Sequence, residues 1–327
     1  MATGKWTMTD GSVFEGELTN NLPHGKGKQT FKDGSVYEGD FDQGFLCGKG
    51  KYNFASGNVY EGDFAKSTYN GKGEFTWSAG HVYTGDWANG KKHGKGKMIY
   101  QNGKIEEGDW INDQFVSIDN AVKLFNDKKL TEAVSMFKIL SAQGSVDAIF
   151  NLGACYQNGQ GVEQNNSKAA EYFEKAAEKG HMYAQHNLGY LYDLGTGVTL
   201  DREKAVHWYS KAADQGFALS QINMGFYYHY ETKEYAKAVE WYNKAAEKGN
   251  DLAMFNLGIC YLRGEGVKKD QQTAMSWFTK VADKGNENAK ELVRKISELN
   301  GDLVGNVLGH ISTALDLNDI FNSLFGG

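Results

Sequence analysis

The chain repeats itself with a period of 23 residues from its N-terminal region to about residue 114. Three sets of glycines keep this step: turn glycines, glycine pairs in the motif GKG, and glycines that follow an aromatic and an acidic or polar residue. The last set is Gly16, Gly39, Gly62, Gly85 and Gly108. Because three sets share one period over about five copies, this part of the chain is predicted to be a tandem array of one small structural unit.

Each 23-residue unit has the pattern of a β-hairpin. In the second copy, KGKQTF precedes Asp33-Gly34 and SVYEGDF follows it. The Asp-Gly pair predicts a two-residue turn, because both residues tolerate the positive φ angles that such turns need. Alternation places Tyr37 and Phe41 on one face and Glu38 on the other. Since a lone hairpin is marginal in water, neighbouring hairpins are expected to form one antiparallel sheet with a shared aromatic face.

The motifs YEGDFDQG and YTGDWANGKKHGKGKMIY closely resemble the MORN (membrane occupation and recognition nexus) repeat. The resemblance covers residues 4 to about 114 and implies a single-layer antiparallel β-sheet of tandem hairpins. It departs at Cys47 and Asn70, where the repeat usually has His, and at Glu106, where the fifth copy lacks the usual aromatic residue. The family name also implies membrane binding through phosphoinositides.

The charge of this region argues against lipid binding. Residues 1–115 contain 13 lysines, no arginine and 15 acidic residues, so their net charge is −2, whereas recognition of anionic lipid depends on clustered basic residues. One local cluster could contact a lipid or an acidic partner, or form solvated hairpin surface. It consists of Lys91, Lys92, Lys95 and Lys97.

From about residue 145 the hydrophobic period becomes helical, and a second unit recurs at steps of 36, 36 and 33 residues. Its first helix begins at Ala148, Ala184, Ser220 and Ala253, and its second has sequences such as KAAEYFEKAAEKG. The short step arises because the third copy lacks the loop GxGV. Small Ala and Gly residues on one helical face are expected to let neighbouring helices approach closely.

These units strongly resemble the Sel-one-like repeat, a relative of the tetratricopeptide repeat. The resemblance implies a right-handed α-solenoid of helical hairpins. We therefore predict a multidomain β + α fold in which an N-terminal single-layer antiparallel sheet of MORN hairpins is followed by the α-solenoid. The predicted segments are the sheet at 1–115, the solenoid with four clear copies and divergent ends at 116–299, and an amphipathic tail at 300–327.

Composition and spacing exclude several kinds of site. Cys47, Cys155 and Cys260 have neither metal nor disulfide spacing, and a net charge of −6 makes nucleic acid an unfavourable partner. The absence of a signal-peptide pattern and of a membrane-span pattern predicts a cytoplasmic protein, or one at the membrane periphery. The glycine loops lack the strand and helix context of nucleotide-binding turns. No nucleophile–base pair, carboxylate pair or metal set remains, so no enzyme activity, cofactor or metal is predicted.

The solenoid supplies the candidate partner-binding residues. An asparagine recurs at one position of the first helix in all four copies, where it could bond an extended peptide backbone or brace adjacent helices. The third copy adds an unusual aromatic cluster of the type that anchors interfaces. The candidates are Asn151, Asn187, Asn223, Asn256, Tyr227, His229 and Tyr230.

The C-terminal tail belongs to neither repeat. An apolar stripe near its end could dock into a partner or into a second copy of the chain. Alternatively, the tail could cap the open end of the solenoid. The residues of this stripe are Leu317, Ile320, Phe321, Leu324 and Phe325.

Together these patterns favour a non-enzymatic scaffold or adaptor that binds protein or peptide partners through the solenoid and the sheet. Two alternatives remain at this point. One is a membrane-associated scaffold that binds phosphoinositide or another lipid through the sheet. The other is an effector or immunity-type protein that binds one cognate partner.

Overall fold

The structure is a computed structural model that describes residues 2–298. The chain divides into two compact units, Met1–Gln143 and a second unit that begins at Gly144. In the first unit, strands give way to helices between Phe115 and Ile118. The segment boundaries predicted from the sequence stay a prediction.

Within residues 2–298, the first unit contains one antiparallel sheet of eleven strands in which each strand pairs with the next along the chain. The strands are β1 (Ala2–Thr7), β2 (Val13–Thr19), β3 (Leu22–Thr30), β4 (Val36–Asp42), β5 (Phe45–Asn53), β6 (Val59–Ala65), β7 (Thr68–Thr76), β8 (Val82–Ala88), β9 (Lys91–Ile99), β10 (Ile105–Ile111) and β11 (Gln114–Phe115). This succession of hairpins confirms the predicted single sheet.

The sheet uses two kinds of turn, and the predicted place of the two-residue turn is wrong. The Phe31 N–H donates to the Ser35 carbonyl at 2.8 Å, which encloses a three-residue loop around the Asp-Gly pair. The Asp33 carboxylate accepts the Ser35 N–H at 2.9 Å and so stabilises this wider loop. Two-residue turns lie at the opposite ends of the strands, for example at Asn89–Gly90, where φ is 50° and 78°.

One face of the sheet carries an aromatic core. Tyr37, Tyr60 and Tyr83 occupy the same repeat position and are fully buried. Gly50 lies beneath the Tyr37 ring, and a Cβ atom there would come within 2.3 Å of the Tyr37 hydroxyl. The core is completed by Phe14, Phe41, Leu46, Phe64, Phe75, Trp87, Met98 and Trp110. The paired glycines are therefore required by the stacking of tyrosines across the strands.

A β-bulge explains why an aspartate recurs with the GKG motif. The register between β4 and β5 shifts at Gly39 and Asp40, and the Asp40 carboxylate accepts the Lys49 N–H at 3.1 Å. Equivalent bonds join Asp63 to Lys72 and Asp86 to Lys95. This aspartate thus satisfies a backbone donor that the bulge frees from the ladder.

Two helices complete the first unit, and helical hairpins build the second. The helices of the first unit are α1 (Ile118–Asn126) and α2 (Leu130–Ala142). Those described in the second are α3 (Val146–Asn158), α4 (Asn166–Glu178), α5 (Met182–Leu194), α6 (Arg202–Asp214), α7 (Ala218–Phe226), a π-helical turn (Tyr227–Glu231), α8 (Tyr235–Glu247), α9 (Asp251–Arg263), α10 (Gln271–Asp283) and α11 (Glu287–Glu298). No helix within residues 2–298 combines the length and the apolar character needed to cross a bilayer.

Small residues allow close helix packing within each hairpin, as predicted. Gly225 on α7 faces the Tyr242 ring of α8, and a Cβ atom at Gly225 would lie 2.3 Å from that ring. The same relation holds for Gly153 with Phe173, Gly189 with Tyr209 and Gly258 with Phe278. These four rings of the second helices are therefore core residues.

Candidate protein-interaction site

The loop that is missing from the third helical copy has a defined packing role in other copies. A Cβ atom at Gly197 would lie 2.3 Å from the Asn166 backbone, at the start of α4. A Cβ atom at Gly266 would lie 2.3 Å from the Tyr235 backbone, at the start of α8. The loop of one copy thus covers the beginning of the second helix of the copy before it. By the same spacing, a loop in the third copy would cover Arg202 at the start of α6.

The third copy instead continues α7 into the π-helical turn, and a cleft of about 200 Å³ lies beside the start of α6. π-Helical turns of this kind occur frequently at functional sites. The cleft is lined by Asp193, Arg202, Ala205, Val206, Tyr209, Asn223, Phe226, Tyr227, Tyr230 and Glu231. Three of the predicted partner-binding residues therefore converge here: Asn223, Tyr227 and Tyr230.

The cleft combines aromatic walls with opposite charges. Arg202 forms an ion pair with Glu231, and its Nε lies 4.0 Å from the Asp193 carboxylate. Burial raises the pKa of the Tyr209 hydroxyl, so this group stays a neutral donor. Tyr230 is 47% exposed. The cleft thus offers accessible rings and hydrogen-bonding groups at one place.

His229 is not available to a partner, which corrects its prediction as a contact residue. Its side chain is 5% exposed and is not among the residues that line the cleft. Its Nδ1 lies 3.8 Å from the Cys260 sulfur, and its Nε2 lies 3.2 Å from the Glu265 carboxylate. Because the Cys260 thiol is fully buried and burial raises its pKa to about 12, this Cys–His–Glu arrangement does not present a reactive thiolate.

A second pairing that the sequence did not indicate joins His186 and Ser220. The His186 Nδ1 lies 2.9 Å from the Ser220 hydroxyl, but Ser220 is fully buried. Burial lowers the pKa of His186 to about 4. Among residues 2–298, no group of three His, Cys, Asp or Glu side chains is placed to hold a metal ion.

The four asparagines of the predicted row have different surroundings. The Asn151 and Asn256 amides donate to the carbonyls of Asp147 and Leu252, one turn earlier on their own helices, at 2.8 Å. Asn187 is part-buried, and Asn223 lines the cleft. Each of these two bonds lies within a single helix. They are therefore neither contacts with a bound peptide nor braces between adjacent helices. The partner-binding role of the row stays a prediction.

The four predicted lysines do not make one patch. The Lys92 ammonium lies 4.5 Å from the Trp110 ring on the aromatic face, where burial lowers its pKa. Lys95 and Lys97 bond the carboxylates of Asp109 and Glu107 at 2.7 and 2.9 Å on the other face. Lys91 is exposed at the start of β9. Their positive charges are therefore divided between two faces, and two of the four lysines are paired with carboxylates.

The face opposite the aromatic core forms an open groove of about 1390 Å³. Its floor is the row of paired glycines, and its sides carry lysines and carboxylates from β2 to β10. The sequence analysis did not identify this groove, although the alternation of Lys with Asp or Glu beside the glycines was a readable signal. The predicted docking stripe of the tail, Leu317 to Phe325, lies outside the described residues.

An open sheet of hairpins followed by packed helical hairpins defines a repeat protein of two repeat types. The Sel1 repeat family matches residues 146–181, 183–217, 218–250 and 251–286. The MORN repeat family matches residues 14–36, 37–59, 60–82 and 83–105. The chain belongs to the Sel1 repeat proteins and carries MORN repeats before them. The fifth predicted MORN copy is not matched, yet β10 and β11 continue the hairpin series.

Two solved structures share 34% identity with the chain over 55% of its length, each with a TM-score of 0.52. One is a Sel1 repeat protein from Oxalobacter formigenes, of which the alignment covers 75%. The other is c5321, a protective antigen present in uropathogenic Escherichia coli strains, of which it covers 41%. No curated protein sequence matches the chain significantly.

An immunity protein from Pseudomonas aeruginosa, Pa5087, is a more distant structural relative. It shares 20% identity over 52% of this chain and 68% of its own, with a TM-score of 0.36. This similarity is too low to support an inference about function.

Proposed function

We propose that the protein is a non-enzymatic interaction protein whose Sel1 repeats bind a partner protein at the cleft beside the π-helical turn. The observation that carries this proposal is the missing loop of the third copy. It leaves the start of α6 open, whereas the loops of the second and fourth copies cover the equivalent positions, at the starts of α4 and α8. An array of repeats gains a specific site when one repeat departs from the pattern at a surface position.

The size and chemistry of the cleft favour protein side chains as its ligand. Small-molecule sites usually have volumes of about 300–1,000 Å³, so a cleft of about 200 Å³ fits one or two side chains of a partner. Tyrosines supply large contact areas and a polar tip, which is why they are frequent among interface anchors. Tyr230 is the exposed anchor, and Tyr227 and Asn223 flank it.

The membrane alternative has less support. Lys95 and Lys97 are engaged with carboxylates, and Lys92 is held over aromatic rings. Attraction to an anionic lipid surface requires several unpaired basic residues on one face. Partner binding is therefore the function that we favour for both repeat regions.

The test is affinity purification with the full chain, followed by titration of the purified partner. The variant Tyr230→Ala removes the exposed ring of the cleft, and Tyr183→Ala removes a tyrosine of similar exposure, 50%, that does not line it. We expect Tyr230→Ala to weaken binding by about tenfold or more, as for an interface anchor. Equal affinity of Tyr230→Ala and Tyr183→Ala for the partner would contradict the proposal.

A further inference from the structure

Two rows of charged side chains run across the strands along the groove of the sheet. We call them the inner row and the outer row. The inner row contains Lys26, Asp40, Lys49, Asp63, Lys72, Asp86, Lys95 and Asp109. The outer row contains Lys5, Glu15, Lys28, Glu38, Lys51, Glu61, Glu74, Thr84, Lys97 and Glu107, from β1 to β10.

The inner row neutralises itself. Its members pair as lysine and aspartate on neighbouring strands, with nitrogen–oxygen distances of 2.5 to 3.0 Å. Each of its four lysines has one aspartate partner. These exposed pairs contribute little to stability, and the eight residues of the row carry no net charge.

The outer row alternates in sign except at one place. Glu61 on β6 lies directly opposite Glu74 on β7, and Glu74 lies opposite Thr84 on β8. Every other glutamate of the row has a lysine directly opposite on at least one neighbouring strand. Glu61 bonds Lys51 at 3.0 Å, whereas Glu74 accepts only the Thr84 hydroxyl, at 2.9 Å, among the contacts described for residues 2–298.

This interruption is unfavourable to the stability of the sheet. Like charges directly opposite on neighbouring strands are destabilising, whereas opposite charges there are favourable. A lysine at position 74 would continue the alternation, as lysines do at the equivalent positions Lys28, Lys51 and Lys97. Both departures, Glu74 and Thr84, lie in the middle of the groove and are exposed.

We infer that the groove binds a segment of a partner protein and that a lysine or arginine of this segment lies between Glu61 and Glu74. Charge complementarity is the basis, because Glu74 is the one glutamate among the described residues lining the groove that has no lysine directly opposite on a neighbouring strand. The strands β2 to β10 span about 40 Å at the usual spacing of about 4.8 Å. This length fits a polypeptide segment of roughly 12 extended residues.

The same rows disfavour an anionic ligand. The outer row has four lysines against five glutamates, and the inner row has equal numbers of lysines and aspartates. Seven of the eight lysines in the two rows bond a carboxylate, so an anionic ligand would have to displace a carboxylate from most of its lysine partners. The groove therefore selects for positive charge at its centre, and this inference concerns a site separate from the cleft of the Sel1 repeats.

The test is selection of random peptides displayed against the full chain, followed by affinity measurement with synthetic versions of the enriched peptides. We expect the enriched peptides to share a lysine or arginine at one position. Glu74→Gln is expected to weaken their binding by about tenfold, as loss of a charge-assisted hydrogen bond would. The matched control is Glu38→Gln, an exposed glutamate of the same row that has lysines on both sides, and it should change affinity by less than about twofold.

A double variant separates binding from folding. Glu74→Lys with Thr84→Glu restores the alternation of the row, so thermal stability should be unchanged or higher, while the basic peptides should lose measurable binding. Tyr230→Ala should leave these peptides unaffected, so the outcome does not depend on the cleft of the Sel1 repeats. The inference is overturned if no basic residue is enriched, if no peptide binds, or if the double variant binds the selected peptides as well as the natural chain does.

Discussion

The Tyr37 hydroxyl lies directly over Gly50 and donates a 3.0 Å hydrogen bond to the Asp40 carbonyl on its own strand. A methyl group at Gly50 would come within 2.3 Å of that hydroxyl. The tyrosine rings thus pack directly on the glycine pairs, and this contact is repeated across the strands.

We therefore expect Gly50→Ala to lower the free energy of unfolding of the sheet by about 1–3 kcal/mol, the usual cost of overpacking a filled core. The neighbouring exposed substitution Lys51→Ala is the control, because it should change stability by less than about 0.5 kcal/mol. Urea unfolding followed by tyrosine and tryptophan fluorescence measures both variants. A Gly50→Ala protein as stable as Lys51→Ala would contradict this account of the glycine pairs.

A second prediction concerns anionic vesicles. The pairing of Lys95 with Asp109 and of Lys97 with Glu107 leaves too little free positive charge for electrostatic attachment. We expect the full chain not to float with phosphoinositide-containing vesicles in a density gradient at physiological ionic strength. Flotation that Lys95→Glu and Lys97→Glu abolish would show that the lysines do bind lipid, and the membrane alternative would then be preferred.

Much of the fold could be predicted because the strands and turns of each repeat are indicated by residue types within that repeat. Alternation around Tyr37 and Phe41 predicted the buried face of the strands correctly, since period-2 burial is a property of any half-buried sheet. The turn was placed wrongly because Asp33 can accept a backbone N–H two residues on. That bond favours a wider loop, and residue preference alone does not distinguish the two turn types.

The candidate site was predictable only in part. The spacing of residues along the sequence does not show which side chains are buried where an α-helix continues into a π-helical turn. If a regular α-helix is assumed through Tyr227, His229 and Tyr230, the sequence does not indicate which of the three rings is buried. The π-helical turn buries His229 and leaves Tyr230 exposed. The groove of the sheet was missed for a different reason, since it depends on which residues of neighbouring strands lie opposite each other, and this emerges only from the register.

A third prediction concerns thiol reactivity. Cys155 and Cys260 are buried, and burial raises the pKa of their thiols to about 11 and about 12. Because the thiolate is the reactive form, we expect neither residue to be alkylated by iodoacetamide in the native protein at pH 8, and both to react in urea. Mass spectrometry of tryptic peptides measures this. Rapid native alkylation of Cys260 would indicate that the arrangement with His229 activates the thiol after all.

The fourth prediction is a loss of stability in mild acid that depends on His186. Burial lowers the pKa of this histidine from its ordinary value of about 6.5 to about 4. Below pH 6.5 the unfolded chain binds a proton at this residue, whereas the folded chain does so only near pH 4. The contribution of His186 is therefore constant above pH 6.5 and declines as the pH falls from 6.5 to 4, by about 2 kcal/mol at pH 5.

Urea unfolding at pH 7.5 and pH 5 measures this contribution as a difference between variants, because other groups titrate in the same range. His186→Gln should lose less stability between the two pH values than the natural chain, by about 2 kcal/mol, even if it is less stable at both. His207→Gln is the control, since His207 is an exposed residue of α6 in the same unit and lacks the burial on which the expectation for His186 rests. If His186→Gln and the natural chain lose stability equally, His186 must already be protonated in the folded protein at pH 5, and its bond to the Ser220 hydroxyl would then be one that the histidine donates.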